Sequence, residues 1–217
     1  MLRRYDGNGR TNSTDVLYNN RTHKGGYLQH SWKHKSLCGF LSSSRSASGK
    51  WTDAEPKKPL FCEHRGRSSK ENERMVDEFK ACAQHGGAAL LGVLGGCSSE
   101  GVDFPRDEMN SVVIVGVPYV EPTPKVKAQV SYFEERYLGL GREYGYVIPA
   151  MKKASQAAGR PIRTLEDKAV MIFLDYRFST PYCRQFYPLW IRDNLRILPR
   201  EEGAISRELR HFFRRVS

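Results

Sequence analysis

Two arginines, Arg160 and Arg163, stand three residues apart in the run Gln156-Ala157-Ala158-Gly159-Arg160-Pro161-Ile162-Arg163. A guanidinium presents a fixed fork of donors that matches phosphate oxygens. Two of them at this spacing point the same way if the turn between them is helical. Gly159 permits a close approach or ends the preceding helix, and Pro161 fixes the turn after Arg160. Glu166 and Asp167 follow closely, so a solvated salt-bridge cluster accounts for the same residues equally well on spacing alone. A second segment, Gly95-Gly96-Cys97-Ser98-Ser99-Glu100-Gly101-Val102-Asp103-Phe104, also carries chemistry. Its glycines let the backbone approach a ligand. The hydroxyls of Ser98 and Ser99 can hold phosphate, while Glu100 and Asp103 can accept from ribose hydroxyls or from arginine. A polar turn with a helix cap explains that composition too, and composition by itself favours it.

The elements around these segments decide where they sit. Ala88–Leu94, Ser111–Val117 and Ala169–Leu174 are continuous apolar runs bounded by turn residues. Such runs mark strands buried on both faces, as in a parallel sheet covered by helices. Leu60-Phe61-Cys62 is a shorter run. Ser68-Ser69-Lys70-Glu71 has the spacing of a capping box, and Met75, Val76, Phe79 and Cys82 follow at helical spacing until His85-Gly86-Gly87. Helices are expected over Lys125–Leu138, Pro149–Ala158, Phe186–Leu195 and Ile205–Val216. Within the first of these, Tyr132, Phe133 and Tyr137 are read as core residues rather than a base-stacking platform; Tyr119 and Tyr146 stay open. Alternating strands and helices predict an α/β doubly wound layer. In such a layer ligands bind beyond the carboxyl ends of the strands, where both candidate segments fall.

Composition narrows the classes further. The chain has 217 residues and a formal charge of +11. Residues 1–60 hold 11 basic and 4 acidic residues, 61–183 hold 16 of each, and 184–217 hold 8 and 4. The excess therefore lies at the ends, and a nucleic-acid role does not follow from net charge alone. No apolar run approaches the ~20 residues of a membrane helix, and the sequence after Met1 is polar, unlike a signal peptide. Five widely spaced cysteines (Cys38, Cys62, Cys82, Cys97, Cys183) form no C-x-x-C pair. That argues against a disulfide framework or zinc ribbon and for a reducing compartment. Residues 1–59 carry turn formers and a serine-rich stretch with little apolar recurrence, so low order is expected there. A nucleic-acid-binding arm is the sharper reading of their basic content. His64, His85 and His211 are scattered and read as surface or cap residues, and Cys97 as a packing residue.

Taken in order, about 55 residues apart, the two segments resemble motifs V and VI of a superfamily 2 DNA helicase. The resemblance is closest to the XPD-like iron–sulfur DNA helicases, archaeal members in particular. It is carried by Gly95-Gly96…Ser99-Glu100-Gly101-Val102-Asp103-Phe104 and Val113-Ile114-Val115-Gly116-Val117-Pro118-Tyr119. It continues through Pro149-Ala150-Met151, Gln156-x-x-Gly159-Arg160-x-x-Arg163, Leu174-Asp175-x-Arg177-Phe178 and Pro188-x-Trp190-Ile191, covering about residues 60–200. The resemblance implies the second RecA-like motor domain, one wall of a cleft in which ATP and Mg2+ bind. Carried over by motif, Arg160 and Arg163 are the arginine-finger pair and Gln156 senses the γ-phosphate or positions the attacking water. Glu100, Gly101 and Asp103 couple nucleotide to DNA, Gly159 belongs to the same nucleotide-binding set, and Ser98-Ser99 touch the DNA backbone. Asp175 and Arg177 are expected as a structural pair. The implied partners are DNA, single-stranded in particular, and the N-terminal helicase half; the implied location is cytoplasmic, of a prokaryote-like kind.

The departures from the family are as informative. No G-x-x-x-x-G-K-[ST] loop and no D-E-x-H box occur in the chain. The family's four cluster cysteines lie in its N-terminal half, and these five do not match them, so no metal ligand is assigned. The chain thus reads as the C-terminal half only, residues 60–217, inactive alone in ATP hydrolysis. The family also opens this domain with a strand such as Val-Phe-Phe-Pro-Ser, which is missing. Together with the texture of residues 1–59, this suggests a frameshifted or non-native segment there and a sheet lacking its first strand. A non-enzymatic nucleic-acid-binding remnant and a nonfunctional truncated product are the alternatives.

Overall fold

The computed structural model describes residues 15–19, 37–42, 58–64, 66–94, 102, 104, 108–199 and 201–216. Glu100, Gly101 and Asp103, with the Gly95–Ser99 loop, lie outside the described residues. Seven strands form one sheet: β1 (Asp15–Asn19), β2 (Leu37–Ser42), β3 (Leu60–Cys62), β4 (Ala88–Val93), β5 (Ser111–Val115), β6 (Val170–Leu174) and β7 (Leu195–Leu198). Their order is β3-β4-β2-β5-β6-β1-β7. The pairs β3–β4, β5–β6, β6–β1 and β1–β7 are parallel. The sheet departs from the purely parallel arrangement expected in one place, because β2 runs antiparallel to both β4 and β5. Two strands, β1 and β2, come from residues 1–59.

Residues alternate faces along each strand, and the sheet uses both. Val112, Ile114, Met171 and Phe173 point into the larger layer, packed with α1 (Ser69–Ala81) and α3 (Ile148–Ala158). Val113, Val170, Ile172 and Leu174 point to the opposite layer, with Leu198, Leu209 and Phe212. The last two belong to α6 (Ala204–Val216). This two-sided burial is why β5 and β6 read as continuous apolar runs. Each fully buried Phe or Ile contributes about 1.5–3 kcal/mol relative to exposure.

The helix α1 starts as its sequence dictates. The Ser68 hydroxyl accepts from the Glu71 amide, and the Ser68 amide donates to the Glu71 carboxylate at 2.7 Å. That backbone hydrogen bond, with the side-chain bond from Ser68 beside it, holds the Glu71 carboxyl below its ordinary range. Met75, Val76 and Phe79 are buried, and the Phe79 ring meets Phe61 and Phe104 edge-on at 6.1 and 5.9 Å.

Two expectations are corrected. The helix α2 (Pro124–Arg136), begun by Thr123 and Pro124, buries none of its residues. Tyr132, Phe133 and Tyr137 are therefore not core; they gather with Tyr144 on the outside, and Tyr137 stacks on Tyr144 at 4.8 Å. The physical reason is that α2 touches the body through backbone at glycines, not through its aromatic side chains. A Cβ on Gly145 would stand 2.9 Å from the Val130 Cα, and one on Gly141 would collide with the Val130 carbonyl. Second, no helix spans Phe186–Leu195. Pro188 interrupts it, leaving α4 (Pro181–Arg184), α5 (Leu189–Arg192) and then the strand β7. A π-helical turn, Glu143–Val147, leads directly into α3.

Candidate functional site

The helix α3 positions the predicted chemistry. Its small residues Ala150, Ala154, Ala157 and Ala158 are buried against the sheet, which lets the helix lie close and turns its polar positions toward a cavity of about 740 Å³. Gln156, Gly159, Arg160 and Arg163 all line that cavity. The four residues assigned from motif VI are therefore brought together. At the end of the helix the amide of Gly159 donates to the Ser155 carbonyl at 3.0 Å, and Arg160 to Ala157 at 3.3 Å. A Cβ on Gly159 would lie 3.5 Å from the Trp190 Cη2, an ordinary contact distance, so the helix end packs against Trp190 without a steric demand for glycine.

The two candidate segments meet. Arg160 Nη1 donates to the carbonyl of Val102 at 2.8 Å. Val102 is flanked by Gly101 and Asp103 in sequence, so the backbone of the first candidate loop is held at Val102 by an arginine of the second segment. Asp167 does something the sequence did not suggest. Its Oδ2 accepts from the amides of Arg163 and Thr164, each at 2.6 Å, and the residue is buried. It fixes the turn that carries Arg163.

The carboxyl ends of β5 and β6 are clamped beside this region. Asp175 Oδ1 accepts from the Arg177 amide and from its Nε, both at 2.9 Å, and Oδ2 accepts from the guanidinium as well. This is the structural pair expected at the strand end. The guanidinium lies over the Tyr119 ring, 5.4 Å from its centre, and Tyr119 stacks flat on Tyr146 at 4.8 Å. Burial, then the neighbouring Cys183, push the Tyr119 hydroxyl up to about 12. Bonding to Asp175, set against burial, raises Arg177 further above its already high value. Tyr119 and Tyr146 thus serve packing at the strand ends.

Sequence reasoning missed Lys152, Lys153, Ser155 and Phe186, which line the same cavity; Trp190, noted only for resemblance, lines it too. The available signal was helical spacing, since Lys152 stands one turn before Gln156 on the same face. Among the described residues no group of three or more His, Cys, Asp or Glu could hold a metal ion, and Cys62, Cys82 and Cys183 are free thiols. These residues do not fit an iron–sulfur cluster. No helix among the described residues is long and apolar enough to cross a membrane.

Comparison with known proteins gives the same reading. Residues 27–194 match the family model described as the helicase C-terminal domain. The chain belongs to the helicase C-terminal domain family. It is 35% identical over 176 residues to the "Regulator of telomere elongation helicase 1 homolog" of Drosophila grimshawi, covering 77% of this chain and 18% of that protein. The Drosophila willistoni protein of the same name is 36% identical over 175 residues, covering 77% and 17%. The chain thus spans less than a fifth of these relatives. Among solved structures, an XPD helicase matches with a TM-score of 0.55 at 19% identity, over 86% of this chain and 35% of that one. An apo XPD structure matches at 0.54, over 86% and 40%. These share the fold. The fly relatives give no support to a prokaryote-like setting.

Proposed function

We propose that this chain is the second motor domain of an ATP-dependent DNA helicase and supplies one wall of a composite ATP site. The observation that carries the reading is the convergence of Gln156, Arg160 and Arg163 on one cavity, with Arg160 bonded to Val102. Phosphoryl transfer develops charge on equatorial oxygens, and catalysis is mostly positioning and electrostatic stabilisation. Arg160 and Arg163 donate to those oxygens, and Gln156 orients the γ-phosphate or the attacking water. Gly159 belongs to the same nucleotide-binding set. Glu100, Gly101 and Asp103, flanking Val102, link nucleotide occupancy to the strand of DNA, single-stranded on this reading. ATP supplies the transferred phosphoryl group and Mg2+ shields its charge when bound; both need the phosphate loop and acidic box of an N-terminal half. Residues 60–217 form the motor domain on this reading.

The test is ATPase activity with single-stranded DNA, for the chain alone and after adding a polypeptide that carries the missing half. The chain alone is expected to be inactive and the mixture active. Arg160→Ala and Arg163→Ala should each abolish turnover in the mixture, a loss of about 10³-fold or more. Turnover by the isolated chain, or near-normal rates in both variants, overturns the assignment.

A further inference from the structure

The helix α2 buries none of its residues, and its two sides differ in what they meet. Val126, Val130 and Phe133 are half-buried and follow one another at helical spacing. Through Val130 this stripe meets the neighbouring segment at Gly141 and Gly145. At about 100° per residue, the opposite side carries Lys125, Ala128, Tyr132 and Glu135, all exposed. The Tyr132 ring is 60% exposed. No residue of α2 is among the described residues that line the cavity beside α3, so this outer stripe stands apart from the candidate site.

The outer stripe is complementary to itself. Its spacing of 3, 4 and 3 reads the same in both directions, and reversal exchanges Lys125 with Glu135 and Ala128 with Tyr132. Two copies of α2 packed antiparallel therefore set lysine against glutamate at both ends. Between the ends they set a small side chain under a large ring, twice. The charges gain from such a neighbour. Lys125 lies in the first turn and Glu135 in the last, each at the end of the helix dipole that disfavours its sign. Arg136, on the flank of the stripe, has the favoured sign; Glu135 does not. An antiparallel copy brings an opposite charge to each and opposes the two dipoles. It also sets the C-terminal end of one α2 beside the N-terminal end of the other. At the first of these ends Leu138 is 92% exposed with φ of 41°, and at the second Val120 is exposed. An apolar side chain held outward on strained backbone gains from being covered.

We propose that the outer face of α2 is a self-association surface, on which a second copy of this chain docks through its own α2 about a two-fold axis at the level of Val130. From Lys125 to Glu135 the stripe spans ten residues, about 15 Å at 1.5 Å per residue. A contact one helix wide and that long is smaller than the roughly 800 Å² per partner of a standard interface. The dimer is therefore weak and reversible, and the Lys125–Glu135 pairs set its register. The proposal stands on α2 alone and is independent of the ATP-site reading.

The test is sedimentation equilibrium of the full chain over about 5–300 μM. A reversible monomer–dimer equilibrium is expected, with Kd of about 10–100 μM. Lys125→Glu alone and Glu135→Lys alone each put like charges opposite one another at both ends, and each should weaken association about tenfold or more. The two reversals combined bring opposite charges together again, and association should return to within about threefold of the original. Ala128→Arg fills the seat of the partner's Tyr132 and should leave a monomer. Lys70→Glu on α1 makes the same charge change elsewhere and should leave Kd unchanged. All of these side chains are exposed, so the variants fold; far-ultraviolet circular dichroism checks it. The proposal is overturned by a chain that stays monomeric throughout the range, or by single reversals that leave association unchanged. It is equally overturned by a natively folded double reversal that does not restore association, or by equal weakening in Lys70→Glu.

Discussion

Arg160 and Val102, separated by 58 positions in the chain, are joined by a hydrogen bond of 2.8 Å from the guanidinium Nη1 to the main-chain carbonyl. A guanidinium has five N–H donors, so this bond leaves others free to face the cavity. The same side chain can therefore contact a phosphate and hold the backbone of the neighbouring loop. Any shift of Arg160 toward a ligand is therefore felt at the main chain of Val102.

Removing that bond gives a first prediction. Arg160→Ala leaves the Val102 carbonyl without its donor in a half-buried place and should lower unfolding stability by about 1 kcal/mol. Amide exchange near Val102 should quicken by a similar free energy. Urea denaturation and exchange mass spectrometry check the two. Unchanged exchange near Val102 would show that the contact does not hold the loop.

The turn that carries Arg163 depends on a carboxylate. Asp167 accepts from two successive amides at 2.6 Å while only 4% exposed. Asp167→Ala deprives both donors and should cost about 2 kcal/mol, while Asp167→Asn keeps an accepting oxygen and should cost about half as much. Equal losses in urea denaturation for the two variants would contradict the capping role. In the reconstituted motor Asp167→Ala should reduce turnover, because Arg163 is then no longer held at the cavity.

How much of this was legible in the sequence depends on what each residue answers to. β4, β5 and β6 were readable because their apolar runs end at glycine or polar residues and need burial on both faces. The capping box at Ser68 and Glu71 is local chemistry and was readable for that reason. Gln156, Gly159, Arg160 and Arg163 were readable as a motif, and helical spacing alone nearly places them together. β7 was not, since the helix expected over Phe186–Leu195 ends where this strand begins, and only Pro188 breaking that helix frees Leu195–Leu198 to extend. Tyr132, Phe133 and Tyr137 misled because helical aromatic spacing signals a packed face, whereas here the packing surface of α2 is set by Gly141 and Gly145 on another segment. The role of Asp167 and the meeting of Arg160 with Val102 are tertiary facts, and no local pattern encodes them.

That glycine surface yields a third prediction. In an ordinary helical position Gly→Ala gains about 1 kcal/mol. At Gly145 the added methyl would meet Val130 Cγ2 at 2.8 Å and its Cα at 2.9 Å, so α2 must move away. Gly145→Ala should therefore destabilise the chain by about 1–3 kcal/mol, in spite of the helix preference. A stabilised Gly145→Ala chain in thermal denaturation would mean that α2 is not seated against this segment.

The stacked pair at the strand ends makes stability depend on pH at the alkaline side. Burial is the first cause that pushes Tyr119 up to about 12 and Tyr182 likewise, the latter also donating to Glu143 at 2.7 Å. In the unfolded chain both titrate near the ordinary value of about 10. Between these values the folded chain keeps protons that the unfolded chain has released. Stability is then whole below about pH 10 and falls as pH rises toward 12. Phenolate absorbance should show a late-ionising component to which Tyr119 and Tyr182 contribute, with Tyr119→Phe and Tyr182→Phe each reducing it. Tyr119→Phe should also flatten the alkaline loss of stability, because its ring still stacks on Tyr146 and sits under Arg177 without a hydroxyl to ionise. A Tyr119→Phe chain that loses stability above pH 10 as steeply as the original would mean that the clamp of Tyr119, Tyr146 and Arg177 does not shield the hydroxyl.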